Sequence, residues 1–345
     1  LHSLRRRQRQ MCIRDSTLVM VSHMLRNIAL IILIMALSII LILSLNMVYQ
    51  SSHEINMAVE LNNHASAVWV ALEKGFFESE GLNIKTLETF TTGLELSAAL
   101  DRGDIQVAWA CLGPLVMAYS KGVPIKIVAM AHIHGYVLVV KPEIESIYDL
   151  EGKTIACPGK GSPNYLLICL VVEKYNLKNV KIVYMKPPLA MASLISGKID
   201  GAALPEHYAS LVISNGFKPL IRSQDVWKKW PGSFLAVREE LLRKNPELVK
   251  KLIKVTVKAT MFINENMEEA TKIVASKLKI PYEIAFNSMK NLEYANTVDP
   301  LEVQKYIDLM YKYGCLNRRI NVNEILDLTL LNEVLSETTE TSGKG

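Results

Sequence analysis

Two stretches of the chain share one alternation of apolar and polar positions. Ala98-Ala99-Leu100-Asp101-Arg102-Gly103-Asp104-Ile105-Gln106-Val107-Ala108 and Ala192-Ser193-Leu194-Ile195-Ser196-Gly197-Lys198-Ile199-Asp200-Gly201-Ala202 each end a helix at a glycine and enter a short apolar strand. Gly103 and Gly197 stand where a helix closes in a left-handed conformation, which costs glycine little. A helix turning into a buried strand is half of a parallel βαβ unit, so the pair points to two similar α/β lobes.

The surrounding pattern supports this. Strands are expected at Ile55–Leu61, Leu82–Leu87, Val107–Ala110, Ile125–Ala131 and Tyr136–Val140. Between them lie helices: one over Ser66–Phe77 with Val68, Leu72 and Phe76 on one stripe, one from Thr91-Thr92-Gly93 to Gly103, and one opened by Cys111-Leu112-Gly113-Pro114. Lys141-Pro142 breaks the series. A second series follows, with strands at Thr154–Cys157, Val180–Tyr184, Gly201–Leu204 and Lys218–Ile221 and helices from Asn164, before Gly197 and from Pro205-Glu206-His207. After a break at Pro231-Gly232 one strand returns at Ser233–Val237, and residues 239–335 read as helical. The helix from Pro246 has proline in its first turn, and its lysines Lys250, Lys251, Lys254 and Lys258 form a solvated face. The expected domains are lobe 1 over 55–141 plus 232–335, lobe 2 over 142–231, and a disordered polar tail over 336–345. Two chain crossings make a hinge with a cleft between the lobes, and open α/β sheets bind ligands beyond the carboxyl ends of their strands.

Composition adds an N-terminal feature. Half of the 345 residues are hydrophobic, and Ile28 to Leu45 is apolar except for Ser38, about the minimum for a spanning helix. Six arginines against one aspartate before residue 28 account for the whole net charge of +5, so no nucleic-acid surface is implied. The arginine flank keeps the N-terminus cytoplasmic and the rest outside. The run 28–45 is read as an uncleaved anchor, with a cleaved signal as the alternative, and 46–54 as a tether. Residues 1–27 are a basic leader whose first sixteen positions resemble translated adapter sequence, with the native start at Met20 or Met24. Of the five cysteines, no pair has a metal or redox spacing.

Loops after strands supply the candidate ligand-binding residues: Asn62, Asn63 and His64; Thr91, Thr92 and Gly93; Cys111 and Gly113; His132 and His134; Gly161 and Ser162, with Lys160 beside them; Glu206 and His207. Thr91-Thr92-Gly93 and Gly161-Ser162 open helices, where free N–H groups and the helix dipole suit an anion. The same Thr and Ser side chains also suit plain helix caps, and the two roles can coexist. The histidines match no compact metal-ligand spacing, so no metal and no cofactor are expected. No nucleophile elbow, phosphate loop or paired carboxylates mark a catalytic site.

Along residues 55 to about 335 the chain resembles the solute-binding proteins of nitrate/sulfonate/taurine-type ABC importers, which share a fold with thiamine-pyrimidine binding proteins. The matching pieces are Ala71-Leu72-Glu73-Lys74-Gly75-Phe76-Phe77 with Glu80-Gly81-Leu82, Ala99-Leu100 to Gly103-Asp104, Gly113-Pro114 and Lys121-Gly122-Val123-Pro124. They continue with Asp149-Leu150-Glu151-Gly152-Lys153-Thr154-Ile155-Ala156, Gly161-Ser162, Leu194 to Asp200, Pro231-Gly232 and Asn245-Pro246-Glu247. The resemblance implies a two-lobed periplasmic-binding-protein type II fold, α/β with a helical C-terminal part. It implies a non-enzymatic monomer outside the membrane of a prokaryote that holds a small anionic or heteroaromatic solute and docks on an importer permease. Where relatives often carry Glu-Pro, this chain has Glu206-His207. The alternative is an enzyme of thiamine-pyrimidine synthesis, which uses a histidine in the loop where His64 stands. Those enzymes carry a cysteine-rich segment that this sequence lacks, and a cytoplasmic synthase has no use for an anchor.

Overall fold

The computed structural model describes residues 26–42 and 54–342. The chain divides into two compact units, residues 1–54 and 55–345. In the first, residues 26–42 are helical, and the apolar side chains from Ile28 to Ile42 that pattern the run are exposed. Among the described residues no helix is long and apolar enough to cross a membrane. The last three residues of the expected anchor, the tether up to residue 53 and the leader up to residue 25 lie outside the described residues.

The second unit is built on two sheets. Its elements are β1 (Glu54–Glu60), α1 (Ser66–Glu73), β2 (Asn83–Phe90), α2 (Gly93–Arg102), β3 (Val107–Cys111), α3 (Leu112–Ser120) and β4 (Ile125–His134). There follow β5 (Tyr136–Val140), β6 (Thr154–Cys157), α4 (Pro163–Lys174), β7 (Lys181–Tyr184), α5 (Pro187–Ile195), β8 (Gly201–Pro205), α6 (Glu206–Ile213) and β9 (Lys218–Arg222). The chain returns through β10 (Pro231–Arg238), α7 (Pro246–Glu265), α8 (Met267–Leu278), α9 (Tyr282–Met289), β11 (Leu292–Glu293), α10 (Pro300–Lys312) and α11 (Thr329–Ser342).

The first sheet has the order β11-β4-β10-β3-β1-β2 and the second β7-β6-β8-β5-β9. β1 and β3 are parallel, as are β6 with β7 and with β8, so their carboxyl ends share a side within each sheet. β10 runs antiparallel to both β3 and β4 and lies between them. The return strand is thus an interior member of the first sheet, and β3 and β10 are buried nearly throughout, as near-continuous apolar runs require.

Three expectations need correction. Tyr136–Val140, expected to close lobe 1, is antiparallel to β8 and β9 in the second sheet. The first crossing is therefore at His134-Gly135 and not at Lys141-Pro142. Both residues have positive φ, +68° and +99°, and a Cβ on Gly135 would fall 2.9 Å from Cε1 of His64, so this kink needs glycine. His132 and His134 belong to β4 itself, because the antiparallel pairing with β10 carries that strand past Ala131. Finally, the tail is not disordered from Ser336: α11 is helical to Ser342. Leu331 and Val334 are buried, and Glu333 and Glu337 meet Lys250 while Glu337 also meets Lys254, each at 2.8 Å. Part of the lysine face of α7 therefore holds the C-terminal helix.

Candidate functional site

The carboxyl ends of β1, β3, β6 and β8 and the helices that follow converge on one narrow space between the two sheets. From the first sheet it is lined by Glu60, Asn62, Thr91, Thr92, Gly93, Leu94, Cys111 and Pro114. The second sheet and its helices contribute Tyr136, Pro158, Ser162, Pro163, Asn164, Pro187 and Pro205.

Local sequence explains each wall. Thr92 caps α2 in a capping box: its Oγ1 accepts from the N–H of Glu95 at 3.3 Å, and Glu95 Oε2 accepts from the N–H of Thr92 at 3.2 Å. Ser162 caps α4, accepting from the N–H of Tyr165 at 3.2 Å and donating to the Gly159 carbonyl at 2.7 Å. Both caps are thus real. They leave the amides of Gly93, Leu94 and Asn164 among the first-turn donors that a cap does not satisfy. Gly93 is required by space, since a Cβ there would fall 2.5 Å from Oε1 of Glu60.

The two sheets touch across the site. A Cβ on Gly113 would lie 2.3 Å from the carbonyl oxygen of Gly161, and one on Gly161 2.8 Å from Cγ of Met117. Glu95 pairs with Lys186, the N-cap of α5. Glu173 of α4 accepts from Lys312 at 2.5 Å and from the hydroxyl of Tyr313 at 2.7 Å. The arrangement is closed.

Glu60, which sequence reasoning missed, is the central group. It ends β1, is buried, and its Oε1 accepts from the backbone N–H of Cys111 at 2.8 Å. Its Oε2 accepts from Nδ2 of Asn62 at 3.0 Å and lies 3.4 Å from Sγ of Cys111. Burial pushes its carboxyl above the usual range, while the bonds to Cys111 and Asn62 pull it back. Only the strand-end position signalled it, because the eye reads an acid after an apolar strand as a surface residue. Tyr136 and Asn164 were missed for the same reason: one lies in a strand, the other inside a helix start. The Asn164 Nδ2 is buried with no protein partner, and the buried Tyr136 hydroxyl has the Cys111 thiol beside it.

Of the expected site residues, Asn62, Thr91, Thr92, Gly93, Cys111 and Ser162 line the space, whereas eight others do not. Gly113 and Gly161 form the backbone contact that closes it. The Asn63 amide turns to the Ser288 carbonyl at 3.4 Å. His64 packs its ring 4.8 Å from those of His132 and Tyr136 and donates from Nε2 to the Gly135 carbonyl at 3.1 Å. That bond leaves Nδ1 as an acceptor, 3.6 Å from Cys111 Sγ. His132 lies behind it in β4, fully buried, and His134 is buried at the crossing. Glu206 is held by Arg222 at 2.8 Å, and His207 packs on its neighbour Tyr208. Side chains of a strand alternate faces and those of a helix start fan outward, so being in a loop after a strand did not decide direction. Among the described residues no group of three or more His, Cys, Asp or Glu side chains is placed to hold a metal.

Comparisons with known proteins bear on the family and the fold. A sequence model of the NMT1-like family matches residues 50–278. The taurine-binding periplasmic protein of Escherichia coli (strain K12) is 31% identical over 212 residues, covering 59% of this chain and 65% of that protein. Among solved structures, the ligand binding component of an ABC-type import system from Staphylococcus aureus, with zinc bound, has a TM-score of 0.74 at 20% identity, over 82% of this chain and 99% of that one. The alkanesulfonate-binding protein SsuA from Xanthomonas axonopodis pv. citri, bound to MOPS, has a TM-score of 0.72 at 19% identity, over 80% and 99% of the two chains. At these identities the structures show the fold, that of two-lobed binding proteins.

Burial makes a pH prediction. Desolvation drives the His64 imidazole down to about 3, helped by His207, and burial alone takes His207 to about 3, against 6.5 for an exposed ring. Below about 6.5 the unfolded chain binds protons at these rings that the folded chain refuses, so their contribution to stability is complete above 6.5 and is lost as pH falls toward 3. The slope is at most ~1.4 kcal/mol per pH unit for each ring. The buried carboxyls of Glu60 and Glu206, raised by burial, act in the opposite sense, so ring NMR is the cleaner readout. The His64 and His207 ring protons should not titrate between pH 8 and 5. A midpoint near 6.5 for either would contradict the burial.

Proposed function

The chain belongs to the NMT1-like family, and from that premise we propose that it is an extracytoplasmic solute-binding protein that captures a small anionic or heteroaromatic solute and delivers it to an ABC importer. The observation that carries this reading is the convergence of polar loops from two sheets on one closed space. In this reading the lobes are residues 55–134 with 231–342, and residues 136–222. They are joined by the crossing at Gly135 and by the segment between β9 and β10. The ligand contacts are Asn62, Thr91, Thr92, Gly93, Cys111 and Ser162, with Glu60, Tyr136 and Asn164. A solute touching both lobes favours the closed state by its differential contacts alone. The named functions of the relatives support a binding protein over an enzyme of pyrimidine synthesis, and no catalytic residue is proposed.

Closure has a measurable size. Adding a bound solute should shrink the radius of gyration in solution scattering with no change in helix content. Gly113→Ala, which drives a methyl into the Gly161 carbonyl, should hold the lobes apart and weaken binding tenfold or more, ~1.4 kcal/mol. Tight binding with an unchanged scattering curve in the parent chain would remove the hinge.

The tether belongs to the same reading. With the arginines before residue 28 kept inside, protease added to intact cells should digest the unit from residue 55 onward. Protection until lysis would place the domain in the cytoplasm instead.

A further inference from the structure

Three cysteines far apart in the chain meet where the two lobes touch. Cys157 ends β6 and Cys169 lies in α4, both in lobe 2, while Cys315 follows α10 in lobe 1. All three are free thiols; Cys157 and Cys315 are buried and Cys169 is half-buried. Tyr165, Cys169 and Glu173 are spaced by four and lie one above the other on a single face of α4. Contacts at both ends hold segment 312–315 against that face. At one end Lys312 and the Tyr313 hydroxyl donate to Glu173 at 2.5 and 2.7 Å. At the other, a Cβ on Gly314 would fall 3.3 Å from Nζ of Lys160, and the Gly161 N–H faces the Cys315 thiol. Cys315 is thereby brought beside Cys169, one helical turn from Glu173.

The neighbours of Cys169 favour its thiolate. The Tyr165 hydroxyl donates to its sulfur, and the Lys160 ammonium acts on both Cys169 and Cys315. In the closed form burial outweighs them and pushes the Cys169 thiol up to about 11. Opening the seam lifts segment 312–315 off α4 and returns Cys169 to water. Tyr165 and Lys160 stay with it, because they belong to the same lobe.

We propose that Cys169 and Cys315 are a redox pair whose disulfide crosses the lobe seam and locks the cleft shut. The oxidant is a small-molecule disulfide of the glutathione type. In the open form the Cys169 thiolate attacks one of its sulfurs, which gives a mixed disulfide and expels one glutathione thiolate. On closure the Cys315 sulfur loses its proton, attacks the Cys169 sulfur and expels the second glutathione thiolate. The two cysteines together give up two protons and two electrons, and the oxidant becomes two thiols. The bond adds a covalent link between the lobes to the two chain crossings. A bond from Cys169 to Cys157 would lie within lobe 2 and tie nothing. The lock goes beyond the binding-protein reading and takes from it only the opening and closing of the lobes.

The test uses the full chain in detergent, first reduced and then incubated with oxidised glutathione. Digestion without reductant and mass spectrometry should find the Cys169 and Cys315 peptides joined, lighter than their sum by two hydrogens. Cys169→Ser should abolish the link, Cys157→Ala should leave it, and Lys160→Gln should slow its formation about threefold or more. Linking should slow hydrogen exchange at amides 159–165, on the seam, by about tenfold or more, and dithiothreitol should restore it. The mapping in the unaltered chain stands whether or not a variant folds. A glutathione adduct that stays on Cys169, a link from Cys157 to either thiol, or no reaction overturns the pair. A Cys169–Cys315 link that leaves exchange unchanged overturns the lock. None of these outcomes bears on the binding-protein reading, which the scattering test on the reduced chain decides.

Discussion

The wedge of β10 between β3 and β4 is the constraint on which the rest of the molecule depends. A strand that enters the sheet only after a second sheet has been built fixes two connections between them, and it makes the first sheet incomplete without the C-terminal half of the chain. Because β1 and β3 are parallel, their carboxyl ends bring Glu60 and Cys111 side by side, and the Cys111 N–H that β3 no longer uses in its ladder is given to the Glu60 carboxylate at 2.8 Å. The second sheet places the starts of α4 and α5 opposite. Position in the cleft is therefore a consequence of strand order, and only the identity of the side chains is free to vary.

Behind the cleft, burial determines chemistry. His64, His132 and His207 are all driven to the neutral form by desolvation, so the apparent histidine cluster brings no positive charge to the site. Those rings act as packing: His64 meets His132 edge-on and Tyr136 at a tilt, and ties the Gly135 kink to the first loop. The same desolvation raises the Glu60 carboxyl, the Cys111 thiol and the Tyr136 hydroxyl that line the space, so burial works against charge on each of them. The closing contacts are of two kinds. The glycine pair Gly113 and Gly161 lets backbone meet backbone, and the exposed pairs of Glu95 with Lys186 and Glu173 with Lys312 add little energy but fix the register of the lobes.

Much of the fold was legible because its signals are periodic. Apolar runs at β3, β4, β6 and β8 and the stops at Gly103 and Gly197, both at positive φ, appear where the sequence placed them. The membership of Tyr136–Val140 was not legible, because an all-apolar strand looks the same in either sheet and only its pairing decides. The tail was misread because its ordering comes from Lys250 and Lys254, about eighty residues away in the chain, and not from its own polar composition. In the site, the capping residues Thr92 and Ser162 carried a local signal and were found. Glu60, Tyr136 and Asn164 matter through the space they share, which no local pattern encodes.

The central claim is that one solute is held by loops of both sheets at once, and hydrogen–deuterium exchange with and without a bound solute addresses it most directly. Saturating solute should slow exchange together at the amides of residues 91–94, opening α2, and of residues 159–165, opening α4, with the 134–136 crossing protected as well. Protection confined to the loops of one sheet, with the other exchanging as in the free chain, would contradict the account.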